Sequence, residues 1–335
     1  MEGLAYIGMV TKVIPIPEAD KIESLEVVCG KGGKWRGTAQ KGQFIEGAFC
    51  RVFLQDSIVP NTAEFSFMEK NNWRIRMIRL RGTPSEVLIM PVVSLGVIEE
   101  LKKHNLEVGA DITEAEGILK YEKPIPVSMS GLDFGSFPSN LIPKTDETLF
   151  QKVPYIVEII KNNMAYSTLK IDGSSATIYQ HEDHFGCCSR NLEKREHEAN
   201  AIWMIANKYG LRERMKGTEL ALQFEIAGPG IQKNKLGLKE PTPFLFDVYD
   251  IGCREYLGYH EMMAVATLYG FPIVPLIDKG ILNFTDDESM RKYAERKYPN
   301  GANAEGVVIR PLQTMRTDKG ERVSFKIINL LYKEG

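Results

Sequence analysis

Nowhere in this 335-residue sequence do the roughly 18 consecutive apolar residues of a membrane-spanning helix occur. The expectation is therefore a soluble chain with no membrane partner. The amino terminus, Met1-Glu2-Gly3-Leu4-Ala5-Tyr6, lacks the basic segment and apolar core of an export signal, which points to an intracellular location of unspecified compartment. Cysteine is sparse: Cys29, Cys50, Cys187, Cys188 and Cys253 are odd in number and irregular in spacing, which excludes a disulfide framework and predicts free thiols. Charge of one sign is missing as well. With 42 basic and 44 acidic residues the net charge is -2, so any attraction to phosphate must come from local basic surfaces. There is no internal repeat.

What is present is ordinary globular composition, 43% hydrophobic and 26% charged, in a chain long enough for two domains. Short apolar runs at 50–54 and 87–93, separated by Gly and Pro turns, predict a small OB-like β-barrel over residues 1–120. Within it, residues 73–77 alternate strictly, which predicts a strand with Trp73, Ile75 and Met77 on one face and Arg74 and Arg76 on the other. Residues 97–104 read as a short helix closing the module. Pro, Gly and Ser punctuation then marks a linker over 121–144. From 145 to 335 the pattern is mixed α+β, with strands at 167–171 and 176–180 and a helix at 196–209 whose Ile202, Trp203, Ala206 and Tyr209 share a face. Thr285 to Glu288 has capping-box spacing and predicts a charged helix running toward Tyr298.

The chemistry-bearing series begins at Lys170-Ile171-Asp172-Gly173, which places a lysine and an aspartate at a glycine-permitted turn between two apolar strands. Alone it is a weak signal. Downstream, in order, stand Ser189-Arg190-Asn191, Glu225-Ile226-Ala227-Gly228-Pro229-Gly230-Ile231-Gln232-Lys233-Asn234, Phe244-Leu245-Phe246-Asp247, Ala304-Glu305-Gly306 and Ser324-Phe325-Lys326. This ordered set resembles the motifs of the covalent nucleotidyltransferase superfamily. The run from Glu225 to Asn234, the most specific of them, is similar to that of ATP-dependent RNA ligases that seal nicked duplexes. A barrel in front and a short tail behind fit the RNA ligases with an N-terminal OB domain, such as that of Naegleria and its bacterial relatives.

The residue types have their own logic. An amine attacks phosphorus only when neutral, so Lys170 needs a neighbouring cation or a base. Mg²⁺ or Mn²⁺ takes oxygen ligands and Mg²⁺ keeps most of its waters, so Asp172, Glu225 and Glu305, with Asp247 as a weaker fourth, are candidates to hold such an ion. The resemblance implies that Lys170 becomes attached to AMP from ATP. It also implies that Lys170, Asp172, Gly173, Arg190, Glu225, Phe246 and Lys326 form the nucleotide site, with Phe246 stacked on adenine and Lys326 on the α-phosphate. The partner it implies is RNA with 5′-phosphate and 3′-hydroxyl ends, on a nicked duplex, handled by a monomer.

One departure stands out: many relatives carry Lys-x-Lys in the last motif, and here Ile328 occupies the second position. Lys152, Lys161, Arg310 or a residue of the barrel is left as its substitute. Three other readings were weighed. Arg74, Arg76, Arg79 and Arg81 are a candidate RNA-backbone surface, against a charge-protected edge strand. His181, His184, Cys187 and Cys188 invite zinc, but Glu182-Asp183 reads more simply as a hairpin turn. At the level of the whole chain, a non-catalytic RNA-binding protein, a DNA ligase and a capping guanylyltransferase are the rivals. The first predicts loss of the lysine or acids, and the other two usually carry an OB domain after the last motif.

Overall fold

The computed structural model describes residues 3–92, 107–121 and 133–332. Its chain falls into two compact units, Met1–Pro124 with Gln151–Pro154, and Ile125–Phe150 with Tyr155–Gly335. The first contains β1 (Ala5–Pro15), β2 (Ile22–Cys29), β3 (Gly33–Gln40), β4 (Phe49–Phe53), β5 (Ser57–Ile58), β6 (Ile78–Leu80), β7 (Thr83–Ser85), β8 (Leu88–Pro91) and β9 (Leu119–Lys120). Its main sheet is antiparallel in the order β3-β2-β1-β4-β8. The two outer strands then meet: Gly37 bridges Val87 in parallel, and Arg36 and Glu86 exchange bonds of 3.0 and 2.7 Å. That contact closes the sheet into the OB barrel and removes its edges.

The main sheet is buried on both faces: Ala5, Ile7 and Phe53 join one apolar cluster, in which Phe53 meets Phe65 edge-on at 5.5 Å, and Val52, the next residue along β4, is buried on the opposite face. Arg51 is fully buried too. Its guanidinium is held by Glu64, by Glu116 at 2.9 Å and by the Pro91 carbonyl at 3.0 Å, as a buried charge must be. Residues 73–77 are not the strand the alternation predicts. Asn72 and Trp73 are both left-handed (φ 51° and 54°), ending the 3-10 helix Ala63–Asn71 and turning the chain so that a strand starts only at Ile78. The helix predicted at 97–104 lies outside the described residues.

The second unit contains β10 (Asp133–Ser136), β11 (Ala165–Lys170), β12 (Ser174–His181), β13 (His184–Ser189), β14 (Leu192–Lys194), β15 (Leu220–Ala227), β16 (Thr242–Asp250), β17 (Glu255–Tyr256), β18 (Leu276–Gly280), β19 (Gly306–Pro311) and β20 (Phe325–Ile328). They form a seven-stranded sheet, β10-β14-β13-β12-β15-β16-β17, and a four-stranded sheet, β18-β11-β19-β20, both antiparallel. Ala176, Ile178, Leu222 and Phe224 point from one face of the larger sheet into a core shared with the helices Ala201–Lys208 and Tyr259–Tyr269. Tyr179, Ala221 and Tyr249 point the other way, onto Phe137 and Ile142. The fold is α+β, with antiparallel sheets and flanking helices.

Three boundaries differ from expectation. Residues 133–142, read as linker, supply strand β10 and the buried anchors Phe137 and Ile142; Pro and Gly punctuation there hides two apolar contacts. The helix expected from 196 begins at Ala201, because the Asn200 side chain accepts from the Ile202 amide at 2.9 Å and caps it there. In the last helix, Asp287–Tyr293, Asp286 rather than Thr285 is the cap, accepting from Ser289 at 2.7 Å, and the helix stops short of Tyr298. The hairpin at Glu182-Asp183 forms as predicted, with His181 opposite His184. Its neighbours Cys187 and Cys188 are buried on opposite faces of one strand. Among the described residues, no helix is long and apolar enough to cross a membrane.

Gly306 opens β19 at φ 155°, and a Cβ there would lie 2.1 Å from the Ile327 carbonyl oxygen. Gly306→Ala is therefore expected to lower stability by about 2–4 kcal/mol, read as a lower urea midpoint at unchanged slope.

Candidate active site

Lys170 ends β11 in the smaller sheet and Ser174 begins β12 in the larger, so Lys170 to Gly173 carry the chain from one sheet to the other. Strand register brings the remaining motifs to this crossing. Lys170 pairs with Gly306, next to Glu305, and Gly306 pairs with Ile328. On the other side Ser175 pairs with Glu225. The Lys170 Nζ lies 2.6 Å from Glu305 Oε1. Gly173 admits no side chain, since a Cβ would sit 2.4 Å from the Ile226 carbonyl oxygen.

Two tyrosines that sequence reasoning missed stand at this crossing. The Tyr298 hydroxyl donates to the Lys170 carbonyl at 2.8 Å and accepts from the amides of Asp172 at 3.0 Å and Glu305 at 3.3 Å. Tyr332 is buried, and burial first, with the Asp172 and Glu305 carboxylates adding to it, pushes its hydroxyl above the usual phenol range. Neither belongs to a periodic pattern, and Tyr332 follows the last motif, so the sequence carried no signal for either.

The electrostatics are those of an acidic pocket around one lysine. Burial alone would lower the Lys170 pKa, but Glu305 and Glu225 outweigh it and hold the ammonium above its usual range. Glu225 is pushed up to about 7, by burial first, with Glu305 and Asp172 adding repulsion and Lys170 opposing it. Three hard oxygen donors facing one cation leave room for further positive charge, which suits a divalent ion of the Mg²⁺ or Mn²⁺ type. Among the described residues no three His, Cys, Asp or Glu side chains are grouped to ligate a bare ion.

Phe246 is placed by a bulge. Gln223 pairs with Asp247 and Phe224 with Leu245, leaving Phe246 as the extra residue of β16. Its ring is re-aimed, half-buried, against the cluster of Leu169, Ile171 and Val274. Beneath it lies a network that corrects two expectations. Arg310 is buried, bonded to Glu147 at 2.6 Å and near Asp247 at 3.6 Å, while Arg322 holds Asp247 at 2.5 Å. Asp247 is thus consumed as a counter-ion and is no ion ligand. Arg310, although burial works against its charge, is kept protonated by Glu147 and Asp247 and cannot stand in for the lysine absent at Ile328. Lys161 is drawn off as well, onto Glu158 at 2.6 Å.

Lys326 and Ile328 are half-buried on one face of β20, while Phe325 and Ile327 are buried on the other. The Lys326 amide bonds the Thr148 carbonyl at 2.8 Å. Arg190 lies exposed after β13, paired with Asp146 at 2.8 Å. In the barrel unit, Arg74 is engaged by Asp56 at 2.5 Å and lies 3.7 Å over the Tyr121 ring. Arg76 and Arg81 are exposed, and Arg79 bonds the Gly82 carbonyl at 3.1 Å across the β6–β7 turn.

Comparison with known proteins agrees with this layout. Residues 165–328 match the family described as RNA ligase, and residues 4–92 match an OB-fold domain. The RNA ligase of Naegleria gruberi, in a mutant form without ligand, is 33% identical over 98% of this chain and 97% of that one, with a TM-score of 0.81. The same protein with PPi matches at a TM-score of 0.80 with the same identity and coverage, and a mutant with AMP and Mn at 0.81. Curated proteins give no sequence match.

Two outcomes are expected. Arg310→Gln strands the buried Glu147 carboxylate and should lower stability by about 3 kcal/mol, measured by urea unfolding. Because the folded-state pKa of Glu225 is raised from 4.5 to about 7, the folded protein holds an extra proton in that interval and the site reaches full negative charge only above it. Mn²⁺ affinity should therefore rise steeply between pH 6 and 8, by up to about tenfold per unit. Calorimetric titration of Glu225→Gln should show a flatter profile.

Proposed function

The chain belongs to the RNA ligase family, and on that footing we propose that it uses ATP to join RNA 5′-phosphate and 3′-hydroxyl ends, through lysyl-AMP on Lys170 and an RNA-adenylate, in repair of nicked duplexes. The observation that carries this is the placement of Lys170 2.6 Å from Glu305, at a sheet crossing that also gathers Glu225 and Asp172. Naegleria gruberi RNA ligase mutants bind ATP with Mn and AMP with Mn, and the acidic pocket here suits the same cofactors.

In the first step the neutral Lys170 Nζ forms a bond to the α-phosphorus as the bond to pyrophosphate breaks. In the second, an oxygen of the RNA 5′-phosphate takes the adenylyl group and the P–N bond breaks. In the third, the 3′-hydroxyl attacks the 5′-phosphorus and AMP leaves. Asp172, Glu225 and Glu305 would hold a hydrated divalent ion, which when bound supplies positive charge beside the α-phosphate and disfavours the lysine's proton. Glu305 restrains Lys170 at rest and is placed to take its proton as the amine becomes a nucleophile. Tyr298 fixes the backbone on both sides of that pair, so the amine approaches along one line. Lys326 supports the α-phosphate, and the bulge-directed Phe246 ring stacks on adenine. Exposed Arg76 and Arg81, with Arg79, add phosphate contacts from the barrel.

Incubation with α-labelled ATP and Mg²⁺ should label wild-type protein on Lys170 and leave Lys170→Met unlabelled. Sealing by Lys170→Met should fall at least about 10³-fold. Equal sealing of all-DNA nicks and nicks with RNA 3′ ends would refute the RNA assignment.

A further inference from the structure

Ahead of the Lys170 strand in sequence, residues 143–148 run across the motif strands of the second unit and are stitched to them one residue at a time. The Pro143 carbonyl accepts from the side-chain amide of Gln223 on β15 at 2.9 Å, and Gln223 is itself fully buried. The Lys144 ammonium donates to Asn191 Oδ1 at 3.0 Å. The Thr145 hydroxyl meets that of Ser175 on β12 at 2.6 Å. Asp146 takes Arg190 at 2.8 Å, and the Thr148 carbonyl takes the Lys326 amide at 2.8 Å. Lys144 is the last residue of the stretch read as linker, yet both its neighbours are fastened to strands that lie abreast at Ser175 and Glu225. Its backbone is fixed relative to the site.

In this segment Lys144 alone carries a charge that no opposite charge answers. Glu147 is consumed by Arg310 and Asp146 by Arg190. The Lys144 side chain is exposed and held by a neutral amide oxygen, and among the described residues no carboxylate pairs with it. Lys161, Lys194 and Lys208, by contrast, each close on a carboxylate. An ammonium ordered by an amide keeps its full charge and two further N–H donors for a ligand. Beside it, the Arg190 side chain is 55% exposed and its Asp146 partner 48%, so water weakens that pair and a stronger anion can replace the carboxylate. Phosphate is such an anion, because it accepts two parallel bonds from a guanidinium.

We propose that Lys144 is a phosphate-binding residue that receives the 5′-phosphate of the RNA end, with Arg190 joining the contact as phosphate displaces Asp146. The inference rests on the proposed function. Asp172, Glu225 and Glu305 repel a polyanion, so the end of an RNA strand needs positive charge at the edge of the acidic site. Sheet order separates the two substrates: β13, which leads into Arg190 and Asn191, lies on the opposite side of β12 and β15 from the Phe246 strand β16. The cations therefore stand at the end of the site away from the adenine platform and face solvent.

The test uses full-length wild type, Lys144→Gln and Lys144→Arg, each adenylated on Lys170 with ATP and Mg²⁺ and then freed of ATP. AMP transfer to nicked duplex with an RNA 3′ end is followed in a single turnover against nick concentration. Binding of nicks ending in 5′-phosphate or 5′-hydroxyl is measured with the metal chelated. Lys144→Gln is expected to label on Lys170 at the ATP concentration that suffices for wild type, and to need about tenfold more nick for half-maximal transfer. The preference of wild type for the 5′-phosphate nick should shrink by a similar factor in Lys144→Gln and return in Lys144→Arg. A preference unchanged in Lys144→Gln, or absent in wild type, would overturn the inference. So would equal losses on phosphate and hydroxyl nicks, which mark a general backbone contact, or a raised ATP requirement with unaltered nick dependence, which assigns Lys144 to the phosphates of ATP. If wild type takes no label the ligase reading itself falls, a result distinct from a labelled wild type matched by Lys144→Gln on both nicks.

Discussion

The ion pair between Lys170 and Glu305, 2.6 Å long and flanked by Glu225, sets what the rest of the second unit must accomplish. An ammonium in that setting is stable and unreactive. Glu225, buried first and then crowded by Glu305 and Asp172, has its pKa pushed up to about 7. The resting site is therefore a balance between one cation and several anions, and an added positive charge tips it. An amine guarded in this way loses its proton only when that balance is disturbed.

Such a balance requires backbone positions that do not drift. They come from strand register rather than from loops. Lys170, Gly306 and Ile328 lie abreast in one sheet, and Ser175 and Glu225 abreast in the other. Tyr298 ties three backbone groups at the crossing with one hydroxyl. Below, Arg310 and Arg322 with Glu147 and Asp247 form a buried charge network that joins the Phe246 strand to the segment preceding Thr148. Sites built on paired strands in this manner hold their side chains within narrow tolerances.

Much of this was legible before any coordinates. Lys170, Glu225, Glu305 and Lys326 each sit at the end or within an apolar strand, where a charged residue breaks the hydrophobic pattern and announces itself. The barrel showed in its short runs and turns. What stayed hidden has physical causes. Asp247 and Arg310 break the pattern equally well, but a charge that serves a buried partner looks the same in sequence as one that serves a ligand. Tyr298 acts through a single hydroxyl, and neither it nor Tyr332 carries periodicity. At 73–77 two left-handed residues bend the backbone out of a ladder, so that only Ile75 is buried and Arg74 is covered as much as Trp73 and Met77. Residues 133–142 resembled a linker because the two apolar anchors among them are outnumbered by turn formers.

The bulge at Phe246 separates fold from chemistry in an instructive way. Removing that one residue would bring Leu245 and Asp247 into consecutive register with Phe224 and Gln223, giving a more regular ladder than the present one. A single in-frame codon loss would thus take the Phe246 ring from its place beside Leu169 and Ile171 and leave the sheet intact. The irregularity therefore owes nothing to the needs of the ladder, and what it secures is the direction of one aromatic ring.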